Sequence, residues 1–285
     1  LVGGVMDPSG HRPLVLHLPL AALFAFGGEA APRLFHLGLG LGVIAFTAKI
    51  GESRLGRGAG AAAALLLAGS WTFVNGASVV GSETLAALTV LAALDAALRG
   101  SGRGLALAAG AALSVKYTTA GPIVGVFLVA ALPWHTRLGA GIAAITMLTP
   151  WWARNLIAAV HPLFPFAGWP PVLPFQYLEK YGAGRGLQDF LLLPWRVVTS
   201  ADTASFRFLG KLSPAFLALA PAGALAWFRS GDGRRIAAAA LIGTGAWAIG
   251  PQLLRYLVPT LPLLALAVGA GAALLARGGE LGRAG

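Results

Sequence analysis

The chain has 285 residues, 57% of them hydrophobic and only 11% charged, with a mean hydropathy of +0.76. A soluble domain usually carries about twice that charged fraction. The formal charge of +11 comes without a basic stripe of interleaved aromatics, which argues against nucleic acid, and the absence of cysteine excludes disulfides and thiolate metal sites.

In chain order, the first 30 residues give no clean span. The stretch HRPLVLHLPLAALFAF is short, with His17 and Pro19 inside it, and suits a helix lying at the interface or a short buried one. Apolar spans follow at 32–50, 57–74 and 82–98. The stretch 103–134 is apolar but broken by SVKYTTAGP, and reads as two short helices meeting at that break. Further spans are expected at 138–154, 212–228, 234–250 and 256–276, with a loop over 155–211 rich in Pro, aromatics and charge. Runs of this length match the roughly 30 Å of a hydrocarbon core, and no segments alternate as barrel strands do. The expected fold is all-α: a polytopic helical membrane protein of about nine transmembrane helices, a single domain over 1–285 with one large extracytoplasmic loop. The chain begins Leu-Val-Gly-Gly, so an upstream segment is expected.

Short loops holding Lys49, Arg54, Arg57, Arg99, Arg103, Arg137, Arg229, Arg234 and Arg235 define the cytoplasmic side, since connection 75–82 carries no base. The long loop then faces outward. Arg12, Glu83, the KYTT break, Arg154, His161 and Arg255 converge on that outer side.

Several of these residues have two readings. Lys116, with Tyr117 beside it, sits in an apolar region where a charge costs at least about 2.5–3.5 kcal/mol. It is a phosphate-binding lysine in a helix break, or it snorkels to the interface. Arg154 and Asn155 follow two tryptophans, and Arg255 and Tyr256 open a span. Each arginine is an interfacial anchor or a fork of donors for phosphate oxygens. Glu83 is a first-turn helix residue capped by Ser82, or it lines a catalytic cavity. Asp7 is a loop residue or part of an acidic site. His161 reads as a loop histidine. Asp95 and Arg99, at i,i+4 spacing, read as a structural pair. Five scattered histidines make no metal-ligand spacing; no cofactor is identified, and a divalent metal is not arguable from so few acids.

Four motifs together resemble the GT-C membrane glycosyltransferases, the protein O-mannosyltransferase-like and lipid A aminoarabinose transferase-like enzymes. HRPLVLHLPLAALFAFGGEAAPRL is similar to their "(H/K)PPL…G…RL" segment, SVKYTT to "tKyt", PWWARNLIAAVHPLFPF to "PW..RN.....NP.FPF", and RYLVPTLPLLAL to "RYl.P.lPll". The order holds over roughly 11–276. The resemblance implies transfer of a sugar from a polyprenyl-phosphate carrier to an acceptor, a protein, lipid or glycan, at the outer face of the cytoplasmic membrane. It implies Lys116, Arg154, Arg255 and Arg12 as phosphate or carrier contacts, with Tyr117, Asn155, Tyr256 and His161 lining the same cavity. Glu83 and Asp7 are the implied acids. Two departures stand out: Arg12 occupies the first proline of "PPL", and His161 stands where Asn is common. The family's first acidic loop motif, often Asp-Glu, has no match, so the main catalytic acid is expected upstream and this chain to be an inactive piece. Competing readings are a transporter or flippase, since broken helices with a buried lysine also fit transporters, and a polymerase or ligase of surface polysaccharide.

Overall fold

The computed structural model describes residues 16–159, 161, 181–199 and 207–281. Among them every regular element is helical. In chain order these are α1 (His17–Gly27), α2 (Ala30–Leu55), α3 (Ala59–Ala68), α4 (Trp71–Ser78), α5 (Glu83–Leu98), α6 (Gly102–Val115), a 3-10 turn (Tyr117–Thr119) and α7 (Ala120–Val129). There follow α8 (Trp134–Thr146), α9 (Thr149–Ala159), α10 (Leu187–Thr199), α11 (Ala215–Trp227), α12 (Gly231–Ile249), α13 (Leu254–Leu257) and α14 (Leu261–Leu281).

The helices pack side by side: α5 on α6 and α2, α6 on α8, α7 on α12, and α14 on α3, α11 and α12. Small residues allow the closest approaches. A Cβ on Gly51 of α2 would run into the backbone of Gly60 in α3, and one on Gly223 of α11 would lie 2.9 Å from the Ala267 carbonyl oxygen in α14. The core is Ala- and Leu-rich, whereas Leu107, Val124, Leu128, Ile142, Leu225 and Leu241 point outward and are exposed in mid-helix. Apolar surface on the outside of a well-packed bundle is the pattern of a lipid-facing protein.

The break at SVKYTT is as expected: α6 stops at Val115, Lys116 is extended (φ −162°, ψ 129°), and a 3-10 turn leads into α7. Two other expected spans are interrupted. The 57–74 span divides at Gly69–Ser70 into α3 and α4, bent by 69°. The exposed N-terminus of α4 is satisfied by the far end of the outer loop, since Thr72 N and Oγ1 both donate to the Lys211 carbonyl (3.2 and 2.8 Å). The 138–154 span divides after Thr146, because Pro150 brings no N–H and its ring would strike the carbonyl four residues back. Thr149 Oγ1 donates to that Thr146 carbonyl instead, at 2.7 Å. By length and composition, α2 alone is a full crossing among the described residues, and α3 with α4 qualifies as one broken span. The count of about nine crossings remains a reading of the sequence.

Candidate functional site at the Lys116 break

Helices α5 and α6 are antiparallel neighbours, so the first residue of α5 meets the residue just past the end of α6. Lys116 Nζ lies 2.5 Å from Glu83 Oε1, and the two side chains are only 14% and 16% exposed. The pair joins positions 33 residues apart. Lys116 Nζ also stands 4.7 Å from the centre of the Tyr256 ring. The Arg255 guanidinium lies 5.0 Å from the same ring and donates to the Tyr256 hydroxyl at 3.2 Å. Two cations thus stand close to one aromatic ring, a favourable arrangement for each.

Glu83 reaches this place through connection 75–82, whose anchoring by His36 is not evident from the sequence. His36, fully buried in α2, faces the Ala77 carbonyl through Nδ1 (3.1 Å) and the Gly81 carbonyl through Nε2 (2.8 Å). Thr84 Oγ1 donates to Gly76 O at 3.0 Å. Together they pin the α4–α5 connection that delivers Glu83. A histidine within an apolar span was the available signal. The expected Ser82 cap is absent: Ser82 has helical dihedrals and its side chain makes no capping bond.

Asn155 of α9 is buried, and its side chain lies beside the Tyr117 phenol. Beneath the two tyrosines a small cleft of about 180 Å³ opens between α7 and α12, lined by Tyr117, Thr118, Gly121, Gly243, Trp247 and Tyr256 among others. Its floor is kept narrow by glycine: a Cβ on Gly121 would collide with Ala246. Thr118 Oγ1 is buried without a hydrogen-bond partner, as is Arg154 Nη1.

The structure therefore brings together Glu83, Lys116, Arg255 and Tyr256, with Tyr117 and Asn155 alongside. Arg154 makes no ion pair among the described residues. His161 is half-buried beyond the end of α9. Asp7 and Arg12 lie outside the described residues, as do residues 160, 162–180 and 200–206 of the expected outer loop. Among the described residues no group of three or more His, Asp or Glu is placed to hold a metal ion. The Asp95–Arg99 pair is present as an i,i+4 contact.

No family model matches the chain, and no curated protein matches it in sequence. A solved structure does match in shape. The chain is similar to the crystal structure of ArnT from Cupriavidus metallidurans bound to undecaprenyl phosphate, with a TM-score of 0.64 at 18% identity. The match covers 92% of this chain and 50% of that one, so the chain spans about half the length of the protein it resembles. At that identity the likeness speaks to fold alone: the chain has the all-α, polytopic membrane fold of that structure.

Proposed function

We propose that this chain belongs to a membrane enzyme that moves a sugar from a polyprenyl-phosphate donor to an acceptor at the outer face of the cytoplasmic membrane. The observation that carries this reading is the cluster of Lys116 and Arg255 around Tyr256, at a helix break beside a narrow apolar cleft. The neighbouring fold was crystallised with undecaprenyl phosphate, a ligand of matching chemistry: an anionic head on an apolar chain.

In the reaction, the bond between the anomeric carbon and the carrier phosphate oxygen breaks, and a bond from the acceptor to that carbon forms. The phosphate leaves with the electron pair. Lys116 and Arg255 stabilise its developing charge by preorganised electrostatics, where such groups act most strongly. Arg154, with its buried, unpartnered Nη1, is a third candidate contact for the donor. Tyr117, Asn155 and Tyr256 shape the wall between the headgroup and the cleft. A carboxylate takes the acceptor proton. Glu83 is the acid at the cluster, but its ion pair with Lys116 gives it a first task of holding the lysine in place. Asp7 is the other acid proposed, with Arg12 and His161 as further donor contacts, on the resemblance alone.

The test follows carrier release from radiolabelled polyprenyl-phosphate sugars in membranes holding the full-length gene product, wild type against Lys116→Ala. Release that falls at least 100-fold in the variant, about 2.7 kcal/mol, supports the reading. Release unchanged by the variant contradicts it.

One observation favours transport as a second reading: α3 and α4 form another broken span, and paired broken helices are common in transporters. Movement of a labelled lipid across liposomes by the purified protein, without sugar transfer, would select that reading.

A further inference from the structure

The residues that aim Arg255 and Tyr256 are not on their own helix. The connection from α12 to α13, residues 250–253, is extended at both ends: Gly250 and Leu253 both have β dihedrals. Such a segment takes its position from the groups that hold it. Here Trp247 of α12 donates to the Leu253 carbonyl at 2.8 Å, and further groups come from the outer loop. Arg185 Nη2 donates to the Gly250 carbonyl at 2.8 Å, and Leu254 N donates to the Phe208 carbonyl at 2.9 Å. Gln252 is the centre of this clasp. It is 1% exposed. Its amide oxygen accepts from Ala183 N at 2.8 Å, and its amide nitrogen donates to Ala248 O in the last turn of α12 at 2.9 Å. One side chain thus ties loop residue 183, the end of α12 and the approach to Arg255 into a unit.

The loop is threaded to suit it. Gly182 and Gly184 have φ of +99° and +106°, in the region that favours glycine. A Cβ on Gly182 would overlap the Gln252 side chain. Gly182 N in turn donates to Arg207 O at 2.7 Å, which closes the two ends of the described loop on each other.

We infer that Gln252 is a positioning residue: it couples the outer loop at Tyr181–Arg185 to the placement of Arg255 and Tyr256, and so sets the affinity of the site for a lipid phosphate. This rests on the reading of Arg255 as a phosphate contact. Arg255 and Tyr256 follow directly on the α12–α13 connection, so a shift of that connection moves both relative to Lys116. A change in the loop, such as an acceptor engaging it, reaches the donor phosphate through the same clasp.

The test compares binding of undecaprenyl phosphate and of undecaprenol to the purified chain in lipid nanodiscs, for wild type, Arg255→Ala, Gln252→Ala and Gln252→Glu. The glutamate keeps the acceptor for Ala183 N and loses the donor to Ala248 O, and it is read in place of the alanine variant should that one not fold. Hydrogen exchange of the Arg255–Val258 amides is followed without ligand in the same samples. The inference predicts about tenfold weaker phosphate binding for the Gln252 variant, unchanged undecaprenol binding, and faster exchange over 255–258 with none at 117–119. Unchanged phosphate binding with Arg255→Ala weakened overturns it. Equal loss of both lipids overturns it too, since Gln252 would then support the cleft as a whole. Wild type that binds no undecaprenyl phosphate overturns the phosphate reading instead, and the exchange data still decide whether Gln252 holds the segment.

Discussion

The bundle carries charge at both ends, and the two ends are built differently. At the end that holds Arg54, Arg99 and Arg235 the pairs are mostly local: Asp95 with Arg99, and Asp232 with Arg235 three residues on. Arg54 joins Asp232 from another helix at 3.5 Å, with both side chains about a quarter exposed. At the opposite end Glu83, Lys116 and the Arg255–Tyr256 pair come from three separate connections and are joined through a lysine only 14% exposed. Local pairs of this kind, each with an exposed arginine, form because the helix geometry offers them, and they contribute little. A buried pair from distant segments costs desolvation, which its mutual attraction need not repay. The comparison teaches that the outer cluster is expensive for the fold, and a site that must receive an anion is a reason to keep it.

The sharpest way to break this comparison is a mutant cycle on the outer pair. Glu83→Ala leaves Lys116 without its counter-charge in a half-closed site. It is expected to lower stability by roughly 3 kcal/mol, the size seen when one partner of a buried pair is removed. The double replacement Glu83→Leu with Lys116→Met is expected to recover most of that stability and none of the activity. Thermal unfolding in detergent, set beside carrier release, checks both. A double variant as unstable as the single one would make the pair a structural element.

The end that holds Arg54 and Asp232 should respond weakly. Arg54→Ala is expected to cost about 0–1 kcal/mol, as for other partly exposed pairs, and to leave carrier release unchanged. A loss of stability as large as that of Glu83→Ala would remove the contrast between the two ends.

The smallest effect is expected in the outer loop. Arg196 Nη1 donates to Asp189 Oδ1 at 2.6 Å, and the Gly186 amide donates to Oδ2 at 3.1 Å. These bonds, the Arg196 one first, hold the Asp189 carboxyl below its ordinary range. A group depressed in the folded state stabilises above its unfolded pKa, about 3.9 for Asp. That contribution is lost as pH falls through the lower folded value. The midpoint difference between wild type and Asp189→Asn should therefore be small at pH 7 and vanish near pH 2. An equal difference at both pH values would show that the carboxylate charge is not involved.

Much of the fold was legible because a membrane span writes itself as a continuous apolar run. The break at Lys116 was legible for the complementary reason: a lysine in such a run needs a partner or water. What the run could not show was the bend at Gly69–Ser70, since Gly and Ser do not interrupt an apolar pattern, and it is tertiary contact from Lys211 that satisfies the opened helix start. Pro150 did mark a break, but its effect falls on residue 146, one turn earlier than the tryptophans that drew attention. At the site, Lys116, Glu83, Arg255 and Tyr256 were each recognisable alone. Their meeting was not, because a contact across 33 residues leaves no local period. Gln252 and His36 went unnoticed for the same reason. Each acts by hydrogen bonds to backbone carbonyls or amides far away in sequence, which no side-chain motif records.

The most direct test of the central claim is a cryo-electron microscopy map of the full-length protein with undecaprenyl phosphate in nanodiscs. The account predicts the phosphate within hydrogen-bonding distance of Lys116 Nζ and the Arg255 guanidinium, with the first prenyl units passing Tyr256 into the cleft between α7 and α12. A phosphate bound away from both cations, with the Glu83–Lys116–Tyr256 cluster untouched, would contradict it.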